Sequence, residues 1–206
     1  MAAAVDARVA HIQTLEDGLR QNLSSALICA ALLIVSTAGT ALGRENNQAT
    51  LRLKVSLGER ALRVHGEGGR ETYKVAIGKQ DHATPTGSWH IDRVDINPDW
   101  TPPEGEWAQG KEYKRPGHPA NPMGRARLVF QPPYSIHGTD ELDSIGKAAS
   151  HGSIRLANKD AVELARRVLQ AGDSWESESW FKRMLDSSNE MRQIKLKRPV
   201  PIEITE

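Results

Sequence analysis

Hydrophobic and polar residues alternate clearly from residue 51. Leu51, Leu53, Val55 and Leu57 fall on one side; Arg52, Lys54 and Ser56 fall on the other. That period of two predicts a half-buried β-strand. Gly58-Glu59 predicts a hairpin turn into a strand over 62–64, and residues 66–69 a second turn. Tyr73, Val75 and Ile77 mark a third strand, and Trp89 and Ile91 begin another. Short strands are expected at 128–130 and 134–136, and a short helix over 143–149 with Asp143 as its cap. The period then changes. Ala161, Leu164, Ala165, Val168 and Leu169 form a helical stripe, with Asn158 as N-cap and Gly172 as the stop. A second helix is expected over about 175–189, burying Trp180, Phe181, Met184 and Leu185. Ile194, Leu196, Val200, Ile202 and Ile204 suggest closing strands, which Pro199 and Pro201 confine to an edge or a break.

Two stretches depart from this rhythm. Residues 97–123 are rich in proline and glycine and cannot form long regular elements. A loop this long in a compact domain is functional or disordered, and Trp100, Trp107 and Tyr113 provide area to bury. The stretch reads as a lid over a cleft. Residues 23–43 carry no charge. That run is long enough to span a bilayer as a helix, and it equally fits the apolar part of a signal peptide. It follows a polar leader, 1–22, and precedes a polar linker, 44–48. The expectation is therefore an exported domain over 49–206, either released or anchored through 23–43, in the cell envelope. Ile28 precedes Cys29, so lipidation is not expected.

Composition adds exclusions. The formal net charge is +1, with 27 basic and 26 acidic residues, so no nucleic-acid partner is indicated. Cys29 is the single cysteine, which rules out an intramolecular disulfide. A monomer is expected.

The chemistry concentrates at 134–156. His137-Gly138 and His151-Gly152 stand fourteen residues apart, and the second pair continues into Ser153, Ile154 and Arg155. Acyl transfer needs a nucleophile, a base and donors for the oxyanion. Ser153 offers the hydroxyl, and His137 or His151 a base. Gly152 lets a substrate carbonyl approach backbone N–H groups. Arg155 suits either a carboxylate of the substrate or an ion pair within the protein. A zinc site is poorly supported: the spacing is not that of H-E-x-x-H, and Asp140, Glu141 and Asp143 are the only nearby acids. The G-x-S-x-G elbow of serine hydrolases is absent around Ser153.

The pattern I-H-G-T followed by S-H-G-x-I-R resembles the signature of bacterial L,D-transpeptidases, the YkuD-type catalytic domain. The segments T-P-x-G-x-W at 84–89 and N-P-M-G at 121–124 add to the resemblance. It implies a mostly β (β-rich α+β) fold with a few peripheral helices and a long lid loop. It further implies acyl transfer on peptidoglycan stem peptides, with no metal or organic cofactor. His137 falls on the general base and Ser153 on the nucleophile. His151, Gly152, Gly138 and Ser150 fall on residues that shape the site. One position departs: the family's cysteine is Ser153. An enzyme working through serine and an inactive peptidoglycan-binding module share these residues. The family domain commonly ends near a G-[TD]-x-V-x-I strand, so the C-terminal tail is expected to be an addition or a local elaboration.

Overall fold

The computed structural model describes residues 51–66 and 68–206. The expected leader, uncharged run and linker lie outside the described residues. Among the described residues, no helix is long and apolar enough to cross a membrane.

The protein is mostly β. Among the described residues, ten strands run in the order β1 (Arg52–Ser56), β2 (Ala61–Gly66), β3 (Gly69–Lys74), β4 (Ile77–Gly78), β5 (Gly87–Ile96), β6 (Ala126–Gln131), β7 (Tyr134–Thr139), β8 (Ala148–Ser150), β9 (Ile154–Ala157) and β10 (Arg192–Thr205). Helices α1 (Asn158–Ala171) and α2 (Glu178–Asp186) lie between β9 and β10. Eight strands form one sheet in the order β3-β2-β1-β10-β5-β6-β7-β9, and β4 pairs with β8 separately. The alternation at the start of the domain is a strand with Leu53 and Val55 buried and Arg52 and Lys54 exposed. The α1 stripe of Ala161, Leu164, Ala165, Val168 and Leu169 is fully buried. It packs on β6 and β7 and shares one core with Leu128, Ile136 and Ile154.

The structure departs from the expected local pattern at five places. The strand expected through Tyr73, Val75 and Ile77 breaks after Lys74. Val75 N–H bonds instead to Arg60 O, and Ala76 pairs with Arg155. The helix expected over 143–149 is a 3₁₀ turn, Leu142–Ser144, followed by β8. So short a helix is weak by itself. Gly146 takes φ +83°, and the chain beyond it accepts bonds from Ile77 N–H (to Lys147 O, 3.0 Å) and Lys79 N–H (to Ser150 O, 3.1 Å). Asn158 does not cap α1; Ala157 occupies the N-cap without a side-chain bond. Helix α2 is shorter than expected. It starts after Ser177, whose hydroxyl accepts from Trp180 N–H at 3.1 Å, and ends at Asp186.

The fifth correction concerns the tail. Residues 192–205 form one strand inside the sheet, parallel to β1 and antiparallel to β5. It is neither an edge nor an addition; of the two places the prolines allowed, the break is the one present. The prolines are tolerated because the register shifts between Lys195 and Val200, which takes in Pro199. The parallel ladder with β1 starts only after Pro201, at Ile202. Proline's missing N–H matters only where a ladder bond is required.

Candidate active site

Strands β7 and β9 run parallel, with His137 opposite Arg155 and Ile136 opposite Ile154. One step back along β9, Ser153 meets β7: Ser135 N–H donates to Ser153 Oγ at 3.2 Å. The turn that delivers Ser153 depends on Gly152, at φ +103°. A Cβ there would fall on Tyr134 Cε1 and lie 2.9 Å from Tyr134 Cδ1. Ser150 holds the same turn from inside. Its hydroxyl donates to Ser153 O and accepts from Gly152 N–H at 3.1 Å. Gly152's own N–H is therefore engaged, and the oxyanion donors expected around Gly152 reduce to its neighbours in the turn.

His137 is buried, at 2% exposure. Its Nδ1 lies 2.8 Å from Gly138 O. A carbonyl only accepts, so Nδ1 carries the hydrogen and Nε2 the lone pair. Burial pushes the imidazole down to about 4, and the positive charges of Arg155 and Arg127 act in the same direction. The ring is thus neutral at physiological pH. In the unfolded chain the group titrates near 6.5. Between about 4 and 6.5 the unfolded state therefore binds the extra proton, and stability contributed by the neutral ring is lost as pH falls through that window. At about 1.4 kcal/mol per unit this amounts to about 3 kcal/mol. Urea unfolding at pH 7 and pH 4.5 should show this additional acid loss in the protein and not in its His137→Gln variant. Equal acid sensitivity in the two would overturn the assignment.

The three aromatic residues expected on a lid divide. Trp107 stacks on His151, ring centroids 3.8 Å apart and planes 10° apart. His82 joins them, 4.8 Å from His151. Lys111 Nζ stands 4.7 Å from the Trp107 ring centre. Burial first, then the charges of Lys79, His82, Lys111 and Arg155, hold His151 below its usual value. Trp100 and Trp107 line a cleft of about 1530 Å³ together with Tyr134, His137, His151 and Ser153. Tyr113 does not line it and stands 53% exposed. Lys114 pairs with Trp100 in a two-residue bridge, and neighbouring residues in extended chain point to opposite sides. Arg155 makes an ion pair with the exposed carboxylate of Glu141 at 2.7 Å. Arg155 also lines the cleft, so the ion pair leaves the carboxylate-binding role open to it. Gly138 packs against the Asn158 side chain.

The long loop is pinned at its base. Asn97 N–H donates to Arg125 O at 2.9 Å, and Arg125 Nε donates to Asn97 Oδ1 at 2.9 Å. Asn97 Nδ2 donates onward to Met184 O at 2.8 Å, tying the loop to α2. Thr84 Oγ1 accepts from Gly78 N–H at 2.8 Å, which fixes the turn carrying His82. Sequence reasoning passed over His82, Tyr134 and Ser135 and read Asn158 only as a helix cap. The available signal was proximity in sequence: His82 precedes the T-P-x-G turn, and Tyr134 and Ser135 precede His137. Among the described residues, no three His, Cys, Asp or Glu side chains come together to hold a metal.

The family model described as "L,D-transpeptidase catalytic domain" (YkuD) matches residues 45–202. "Putative L,D-transpeptidase YkuD" of Bacillus subtilis (strain 168) is 38% identical over 99 residues, 48% of this chain and 48% of that protein. The protein of the same name in Bacillus licheniformis is 36% identical over 120 residues, 57% of this chain and 59% of that protein. "Putative L,D-transpeptidase in ATP synthase subunits region ORF 5" of Fuscovulum blasticum is 34% identical over 103 residues, 48% of this chain and 54% of that protein. The chain spans about half the length of the curated relatives it matches. On the family match over 45–202 and the mostly β fold around it, the chain belongs to the L,D-transpeptidase (YkuD) catalytic domain family.

Proposed function

We propose that the protein acts on peptidoglycan stem peptides by acyl transfer, with Ser153 as nucleophile and His137 as base. One observation supports the reading most. The β7–β9 pairing brings Ser153 Oγ to Ser135 N–H, on the same strand as a buried, neutral His137 with its Nδ1 satisfied by Gly138. Ser153 Oγ attacks the carbonyl carbon of the bond before a terminal D-residue, and its proton passes to His137 Nε2. N–H groups of the turn beside Gly152 receive the negative oxygen. The C–N bond breaks, and the leaving amine takes the proton from His137. An amine of a second stem then attacks the ester, gives a proton to His137, and leaves as the new amide while Ser153 Oγ regains it. Every proton taken by the imidazole is returned within the cycle.

The test is intact-mass detection of an acyl adduct on Ser153 after incubation with a stem tetrapeptide. An adduct that disappears in Ser153→Ala is expected. A folded protein that binds the peptide in a calorimeter, yet forms no adduct either as serine or as Ser153→Cys, belongs to the binding-module reading instead.

The loop over 97–123 is proposed as the lid, because its Trp107 already lies on His151 in the cleft wall. Removing residues between Pro103 and Gly117 should weaken stem-peptide binding about tenfold or more, about 1.4 kcal/mol. The melting temperature should fall by only a few degrees, because the base clamp of Asn97 and Arg125 remains. Unchanged affinity by calorimetry would reduce the loop to packing on the sheet.

A further inference from the structure

We propose that Asn158 is a positioning residue for His137: its carboxamide, seated against Gly138, fixes the carbonyl that accepts the His137 Nδ1–H. The proposal rests on the reading of His137 as the base. Asn158 opens α1, yet it does not act as its cap. Its carboxamide fills space that two side chains would otherwise claim. A Cβ on Gly138 or on Gly124 would fall on Asn158 Oδ1. Gly124, at φ +64°, backs onto the same carbonyl, since its Cβ would lie 2.5 Å from Gly138 C and 2.7 Å from Gly138 O.

The carboxamide cannot turn over without loss. Oδ1 accepts from Arg125 N–H at 2.9 Å, and Nδ2 donates to Asp140 Oδ1 at 2.6 Å. Arg125 N–H can only donate and the Asp140 carboxylate can only accept, so a flipped amide would break both bonds. The mount is rigid as well, because the α1 stripe that follows is fully buried. Asn158 thereby joins three elements: the exit of the long loop at Arg125, the His137 strand at Gly138, and the segment after β7 at Asp140. If the Gly138 carbonyl swings away, Nδ1 loses its acceptor. The hydrogen can then move to Nε2, and the lone pair facing the cleft is lost.

The experiment reads the His137 tautomer directly by nitrogen-15 NMR of the labelled protein, without turnover. A silent Ser153 therefore leaves the test intact, and a failed acyl-transfer reading is recognised separately by the absence of adduct. In the unmodified protein the Nδ1–H form should dominate. Asn158→Ala should lower the ratio of Nδ1–H to Nε2–H forms at least about fivefold, the size that one neutral hydrogen bond supports. Asn158→Asp should disturb it too, by setting two carboxylates face to face. The exchange Asp140→Asn with Asn158→Asp keeps net charge, lets the new carboxylate accept from Arg125 N–H and from the new amide, and should restore the ratio. A folded Asn158→Ala protein with an unchanged ratio overturns the proposal. Should Asn158→Ala not fold, the comparison of Asn158→Asp with the exchanged pair decides. No restoration in the pair overturns it, and restoration supports it, because a merely bulky or structural role would not follow the donor and acceptor order.

Discussion

The Ser153→Cys protein is expected to form the acyl adduct at least about tenfold faster than the protein with serine, and His137→Ala in that background to lose about 10²–10⁴-fold. A thiol ionises near 8.5, whereas a serine hydroxyl must surrender its proton during attack. The base available is weak. Burial holds His137 at about 4, so it accepts a proton only as negative charge forms beside it. That condition favours the more acidic nucleophile. A tenfold gain needs only about 1.4 kcal/mol of barrier, within reach of a turn already held by Ser135 N–H and Ser150 Oγ. Removing the imidazole deletes the proton acceptor while leaving that turn in place. Acylation rates by mass spectrometry, for the three proteins side by side with stem tetrapeptide, provide the check. If serine is already as fast as cysteine, the site is built for a hydroxyl and the argument from acidity fails. If the folded cysteine protein is inert, the acyl-transfer reading itself falls.

Gly152→Ala should be strongly destabilising, through backbone strain and a side-chain clash together. Its φ of +103° is strained for any residue with a Cβ, about 1–3 kcal/mol. The new methyl would also fall on the Tyr134 ring, an overpacking cost of about 1–3 kcal/mol more. Gly146→Ala separates the two effects. Gly146 has φ +83°, but nothing lies within 4 Å of its Cβ position, so it carries strain alone. Tyr134→Ala combined with Gly152→Ala should recover the packing part and leave the strain. Urea unfolding of these three variants, of Tyr134→Ala alone and of the unmodified protein measures this. A Gly152→Ala protein no less stable than Gly146→Ala would show that the ring yields freely.

The strands at 52–56 and 61–66 were legible because alternate burial is a local property, written by Leu53, Val55, Leu62 and Val64 against their charged neighbours. The α1 stripe was legible for the same reason at a different period. The two H-G pairs and Ser153 marked the site because chemistry of this kind requires few residue types at fixed spacing.

What the sequence could not contain was the partner of each element. Prolines 199 and 201 allow an edge or a break, and only the pairing with β5 shows the break, a register shift that takes in Pro199. Residues 148–150 became a strand because β4 offered a ladder that no local pattern announces. Asn158 carries the sequence signature of a cap, yet the space between Gly124 and Gly138 took its side chain. Gly152 N–H was spent on Ser150, Arg155 on Glu141, and one face of His151 on Trp107. The sequence by itself therefore determined which residues are apolar, which turns need glycine, and which groups carry chemistry. Tertiary structure decided which of those groups were already engaged, because contacts such as Arg155 with Glu141 and His151 with Trp107 depend on chain closure and packing rather than on adjacent residues.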